Sequence, residues 1–154
     1  MQRKINLNLK TRNRNFSNTR IGIVVSQYNS DITYPMRDAA IETLKVAGVK
    51  AKNIFVTEAP GSFEIPILCQ RMIKSKKLQG VVAIGCVIRG DTDHYHFIAQ
   101  ESTRGIMDVM LKTNVPVANA ILTVNNLEQA KVRSKGEMNK GIEAAKALIE
   151  VLVK

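Results

Sequence analysis

The sequence predicts an α/β layer sandwich around a parallel sheet, and three observations carry that prediction. Apolar, β-branched runs alternate with amphipathic stretches at the spacing of strand–helix units. Two of those runs, Ile21–Ser26 and Gly80–Ile88, are apolar at nearly every position, as strands covered on both faces must be. The chain has 154 residues, 45% apolar and 23% charged, which suits one globular domain without a repeat or low-complexity tract. The expected architecture is a three-layer α/β/α sandwich with a four-stranded parallel sheet.

The elements follow in order. Ile21-Gly22-Ile23-Val24-Val25-Ser26 is the first strand. Asp31 to Val46 reads as a helix, with Ser30 or Asp31 as its cap and Gly48 as its stop. Asn53–Thr57 is a short strand, and Phe63 to Lys76 has helical spacing with Phe63, Ile67 and Met72 or Ile73 as its apolar stripe. Gly80–Ile88 is the most apolar strand and runs into Arg89-Gly90. A long helix from His94 to Lys112, a fourth strand at Val115–Thr123, and helices from Leu127 to about Arg133 and from Gly141 to Val153 complete the chain.

The composition excludes several classes. No apolar run approaches the roughly 18 residues of a membrane span, so no membrane partner is expected. Cys69 and Cys86 lie inside apolar segments and form no Cys-x-x-Cys pair, which argues against a disulfide scaffold and for a reducing, cytoplasmic setting. The formal charge of +10 is concentrated at one end: residues 1–20 carry six basic groups and no acid, leaving 17 basic against 13 acidic groups in residues 21–154. The division is thus a basic arm, 1–20, and an α/β domain, 21–154. The arm reads as a binder of nucleic acid or another anionic surface, as a transit-like segment, or simply as a solvated arm. Within it, Ile5, Leu7 and Leu9 alternate with Asn6 and Asn8, the period of a half-buried strand that needs a sheet edge, such as that of a neighbouring subunit.

Ligands of open parallel sheets bind beyond the carboxyl ends of the strands, so the segments after each strand are the candidates. Tyr28-Asn29 offers an aromatic face and an amide for a flat heterocycle, or a lid over the sheet end. Pro60-Gly61-Ser62-Phe63-Glu64 is a turn opening a helix, whose free amides and Glu64 suit the hydroxyls of a polar ligand; it is equally an ordinary strand-to-helix turn. Gly90-Asp91-Thr92 precedes another helix, a natural anion site. His94 and His96, the only histidines, follow it, and histidine exchanges protons near neutrality. Asp91, Asp93, His94 and His96 also have metal-ligand chemistry, although neighbours at i and i+2 diverge on a helix. Arg133 suits phosphate, as a planar fork able to give two parallel hydrogen bonds.

Taken in order, these segments resemble the lumazine synthase family. The likeness runs from about Ile21 to the C-terminus. It is carried by Pro60-Gly61-Ser62-Phe63-Glu64-Ile65-Pro66, by Gly85-Cys86-Val87-Ile88-Arg89-Gly90 with Thr92 and His94-Tyr95, and by Leu127-Glu128-Gln129-Ala130 followed by Asn139-Lys140-Gly141. The resemblance implies a flavodoxin-like fold and an enzyme of riboflavin biosynthesis. That enzyme joins 5-amino-6-ribitylaminouracil to 3,4-dihydroxy-2-butanone 4-phosphate, giving 6,7-dimethyl-8-ribityllumazine, water and phosphate, with no cofactor and no metal. By motif position it assigns the pyrimidine substrate to Tyr28, Asn29, Ser62, Phe63, Glu64, Cys86, Val87, Ile88, Asn119 and Lys140. The butanone phosphate falls to Asp91, Thr92 and Arg133, and proton transfer to His94. It further implies pentamers, alone or as sixty-subunit icosahedral shells, with the arm's strand added to an adjacent subunit, and riboflavin synthase as a partner. Nucleic acid is not an expected partner. Three positions depart from the family pattern: Asn119 replaces a common aromatic, Asp93 a commonly neutral residue, and the stretch from Arg133 to Lys140 is one residue short. The competing readings are a metal-dependent hydrolase using Asp91, Asp93, His94 and His96, and a non-catalytic shell or RNA-binding protein.

Overall fold

A computed structural model describes residues 14–154. Four strands, β1 (Ile21–Ser26), β2 (Ile54–Ala59), β3 (Gly80–Ile88) and β4 (Val117–Val124), alternate with helices α1 (Ser30–Val46), α2 (Ile65–Lys76), α3 (His94–Thr113), α4 (Leu127–Arg133) and α5 (Lys140–Leu152). The sheet is wholly parallel in the order β2-β1-β3-β4. This is a flavodoxin-like arrangement, in which the chain departs from β1 to one side and then, with β3, to the other. Short 3₁₀ turns at Ala51–Asn53, Ser62–Glu64 and Gly136–Met138 were not foreseen from the sequence.

Alternation along the central strands divides the core in two. Ile23, Val25, Val82, Ile84 and Cys86 face α1 and α5, where they meet Met36, Leu44, Leu148 and Ile149. Val24, Val81 and Ala83 face α2 and α3, where they meet Ile65, Cys69, Ile106 and Val109. Coverage of both faces is why β1 and β3 read as unbroken apolar runs.

Several local expectations need correction. Neither Ser30 nor Asp31 caps α1; Asn29 holds the cap position in the left-handed region, at φ 59°, which asparagine tolerates better than most residues. Strand β2 begins one residue later than expected and continues through Glu58 to Ala59. The expected stripe of α2 holds at Met72 and Ile73, which are buried together with Ile65 and Cys69, and fails at Phe63 and Ile67, which are exposed. The 3₁₀ turn at Ser62–Glu64 places Phe63 before the helix, outside its periodicity. Strand β4 begins after Pro116 and ends at Val124, and α5 starts at Lys140.

The expected strand at Ile5, Leu7 and Leu9 lies outside the described residues. Closer to β1, Phe16 is buried in the α1/α5 side of the core, and the Arg20 side chain donates through Nε to the Lys76 carbonyl at 2.8 Å. No helix among the described residues is long and apolar enough to cross a membrane.

Candidate active site

The order of the strands reverses between β1 and β3, because the chain adds β2 on one side of β1 and β3 on the other, and this leaves a crevice beyond their carboxyl ends in which a cleft lies. It encloses about 460 Å³ and is lined by Tyr28, Asn29, Gly61, Ser62, Phe63, Glu64, Cys86, Val87, Ile88, Gly90, Thr92, His94, Tyr95 and Ile98. That volume is within the roughly 300–1,000 Å³ of small-molecule sites.

Each wall is held by main-chain geometry. The first comes from the β1–α1 connection. Beyond β1 the pairing with β2 continues: Gln27 N–H donates to the Ala59 carbonyl at 2.8 Å and Tyr28 N–H to the Pro60 carbonyl at 3.1 Å. The left-handed turn at Asn29 starts α1, and the Asn29 amide Nδ2 donates to the Cys86 carbonyl at 2.9 Å, tying the end of β1 to the end of β3. Tyr28 is left 72% exposed, with its ring free to act as a flat surface.

The second wall is the turn after β2. Glu64 Oε2 accepts the Gly61 N–H at 3.0 Å, closing the turn on itself as a capping carboxylate does and leaving Oε1 for a ligand. Ser62 is buried against Gly85 of β3; a Cβ on Gly85 would come within 2.5 Å of Ser62 Oγ. Glycine at this position therefore lets the turn approach the strand. Phe63, by contrast, is exposed at the cleft.

The floor is the end of β3. Cys86 lines the cleft but belongs to the α1/α5 core, and burial pushes its thiol up to about 11. It is a protonated thiol at neutral pH, unsuited to nucleophilic catalysis. The third wall is the segment Gly90–His94 and the first turns of α3, where His94 is exposed to the cleft and Tyr95 sits against His96 edge-to-face at 5.1 Å.

Ten of the residues singled out in the sequence thus line one cleft: Tyr28, Asn29, Ser62, Phe63, Glu64, Cys86, Val87, Ile88, Thr92 and His94. Asp91 lies exposed between two lining residues without lining the cleft itself. Three others stand elsewhere. Asn119 is exposed on the edge strand β4, where its Oδ1 accepts the Ile121 N–H at 2.9 Å. Arg133 ends α4 with Nη1 donating to the Gln129 carbonyl at 3.0 Å, and Lys140 begins α5 paired with Glu143. Gly61, Gly90, Tyr95 and Ile98 complete the lining and were outside the predicted set. The spacing of His94, Tyr95 and Ile98, at i, i+1 and i+4 on one helix, was the available signal for the last two.

The lining contains one carboxylate, one imidazole and no lysine or arginine. Among the described residues, no three His, Cys, Asp or Glu side chains converge as a metal site, so the hydrolase reading of Asp91, Asp93, His94 and His96 has no ligand set.

Fold and cleft together define a doubly wound α/β protein with a small-molecule site at its switch point, furnished with aromatic, hydroxyl and imidazole groups. A sequence model of the 6,7-dimethyl-8-ribityllumazine synthase family matches residues 18–154. The chain is 45% identical over 139 residues to the 6,7-dimethyl-8-ribityllumazine synthase of Phocaeicola vulgatus, covering 90% of this chain and 83% of that one. It is 39% identical over 139 residues to the protein of the same name from Protochlamydia amoebophila, covering 90% and 81% respectively. The chain belongs to the 6,7-dimethyl-8-ribityllumazine synthase family.

Proposed function

We propose that this protein condenses 5-amino-6-ribitylaminouracil with 3,4-dihydroxy-2-butanone 4-phosphate to 6,7-dimethyl-8-ribityllumazine, as a transferase of riboflavin biosynthesis. The observation that carries the reading is the convergence of Tyr28, Ser62–Glu64, Cys86–Ile88 and His94 on one switch-point cleft. The Tyr28 ring supplies a stacking face for the pyrimidine, and the polar main chain at the end of β3 meets its edge. Ser62 and Glu64 take the ribityl hydroxyls, with Asn29 holding the two strand ends together.

The chemistry needs proton transfers more than it needs a nucleophile. Attack of the pyrimidine amine on the ketone gives an imine and water; phosphate then leaves, and ring closure releases further water. A single imidazole at His94 can take a proton at one step and return it at the next. Holding both substrates in one cleft supplies the entropic share of the rate. In this reading the Asp91–Thr92 segment ahead of α3 takes the anionic phosphate.

Among the described residues no cation lines the cleft, whereas the butanone substrate carries a phosphate. Arg133, Lys140 and Asn119 complete the site from an adjacent copy in this reading, within a pentamer or a sixty-subunit shell of pentamers. Exposed Phe97, Leu127 and Val132 are apolar surface that such an assembly would cover. A cytoplasmic setting and riboflavin synthase as the consumer of the product fit the same reading.

The test is direct. Purified protein mixed with the two substrates should produce lumazine absorbance well above the uncatalysed background. Product at the background rate refutes the proposal.

A further inference from the structure

We propose that Glu58 is a positioning residue for the pyrimidine half of the site, acting through a hydrogen-bond bridge from β2 to Gln27 and Tyr34. The inference rests on the function proposed above. Glu58 is the second-last residue of β2, in register with Val25 of β1. Its Oε2 accepts from Gln27 Nε2 at 2.8 Å and its Oε1 from the Tyr34 hydroxyl at 3.0 Å. Both bonds stabilise the ionised carboxylate, that from Gln27 foremost, and hold the Glu58 carboxyl below its ordinary range. The Arg37 guanidinium lies 4.4 Å from the Tyr34 ring centroid, so Tyr34 is packed from its face as well as held at its tip.

The placement of these three residues gives the bridge its consequence. Gln27 immediately precedes Tyr28, and Tyr34 sits on the first turns of the helix that Asn29 opens. Glu58 itself leads through Ala59 and Pro60 into the Gly61–Glu64 wall. One carboxylate therefore joins the chain entering the Tyr28 wall, the helix leaving it, and the strand that feeds the opposite wall. The main-chain bonds from Gln27 and Tyr28 to Ala59 and Pro60 fix the spacing of the two walls. The Glu58 bridge fixes their rotation, because it acts on side chains at the outer edge of the sheet. Tyr28, 72% exposed, depends on this frame for its place. None of the three bridge residues lines the cleft, so the effect is on geometry and not on contact with substrate.

The experiment compares Glu58→Ala, Glu58→Gln and Tyr34→Phe in steady-state kinetics with each substrate varied in turn. The alanine variant loses both bonds, and its KM for the ribityl pyrimidine should rise about 3–10-fold, the value of one to two net hydrogen bonds. Its KM for the butanone phosphate should stay within twofold of wild type. Glutamine restores the pyrimidine KM, since the Gln27 amide can turn to offer its oxygen to the new NH₂ while the new oxygen accepts from Tyr34. Tyr34→Phe, lacking one bond, should fall between alanine and wild type. A purely structural residue would lower thermal stability and shift both KM values, or neither. An unchanged pyrimidine KM in Glu58→Ala, or equal rises for both substrates, overturns the inference while leaving the function standing. A wild-type chain that makes no lumazine overturns both.

Discussion

Replacing Gly85 by alanine should displace one wall of the cleft from its floor. A Cβ at this position of β3 would stand 2.5 Å from Ser62 Oγ, 3.1 Å from Ile65 Cδ1 and 3.3 Å from Ser62 Cβ. Ser62 is buried and lies in a turn closed by the Glu64 carboxylate, so it has little room to rotate away. The strand is also fixed, paired on both sides by β1 and β4. The strain is therefore relieved by lifting the Ser62–Glu64 turn, at a cost of about 1–3 kcal/mol for an overpacked site. For a domain of this size that is a fall in Tm of roughly 2–12 °C. The KM for the ribityl pyrimidine should rise with it, because the turn that moves is the one assigned to the ribityl chain. The decisive assay is a double-mutant cycle with Ser62→Ala, read by urea unfolding. Removing Oγ deletes the closest contact, so the double variant should recover at least about 1 kcal/mol relative to the sum of the single losses. Additive losses would show that the Cβ introduced at position 85 never meets Ser62, and the account of this wall would be wrong.

Two further outcomes follow from the same geometry. His94→Ala should slow turnover by about 10–10⁴-fold, the range for a lost general acid–base group, with pyrimidine binding measured by calorimetry nearly unchanged; wild-type turnover removes His94 from the mechanism. The Cys86 thiol, raised by burial to about 11, binds its proton more tightly folded than unfolded. Its contribution is thus complete below the ordinary thiol pKa and lost as pH climbs toward the folded value, so the urea midpoint should fall more between about pH 8 and about pH 10.5 in wild type than in Cys86→Ala. An identical fall in both proteins would place the thiol in a solvated setting.

The fold was legible because its strongest signals are local and two-sided. β1 and β3 are the central strands, and a strand covered on both faces admits no polar position, so its limits stand out: Gly80–Ile88 was read to the residue. β2 is an edge strand, and the charged Glu58 within it looked like a strand end although the side chain bonds outward to Gln27 and Tyr34. In α2 the stripe is legible at Met72 and Ile73 but not at Phe63, because a 3₁₀ turn advances the chain by a different angle per residue than an α-helix, which no apolar count reveals. The Asn29 cap was missed for a related reason. Asparagine in the left-handed region marks a helix start by backbone conformation, while its amide serves Cys86 across the sheet.

The cleft was legible for a different reason, and the reason also explains its incompleteness. Strand ends are sequence-local: once β1, β2 and β3 are placed, the residues after them must meet at the switch point, whatever their identities. That topological rule brought Tyr28, Ser62 and Thr92 together from three parts of the chain, and tertiary bonds such as Asn29 to Cys86 then fix their separation. Nothing topological acts on Arg133 in the same way. It lies at the far end of the helix after β4, and its guanidinium is engaged with its own helix through the Gln129 carbonyl. Among the described residues the cleft therefore has no cation in its lining, while Tyr28, Phe63, Ser62 and Glu64 furnish it with aromatic, hydroxyl and carboxylate groups. On the proposed function, affinity for the flat pyrimidine would come from the subunit's own walls. In the function proposed above, affinity for the phosphate comes from Arg133 and Lys140 of an adjacent copy, so salt and subunit concentration should act on the second substrate more strongly than on the first.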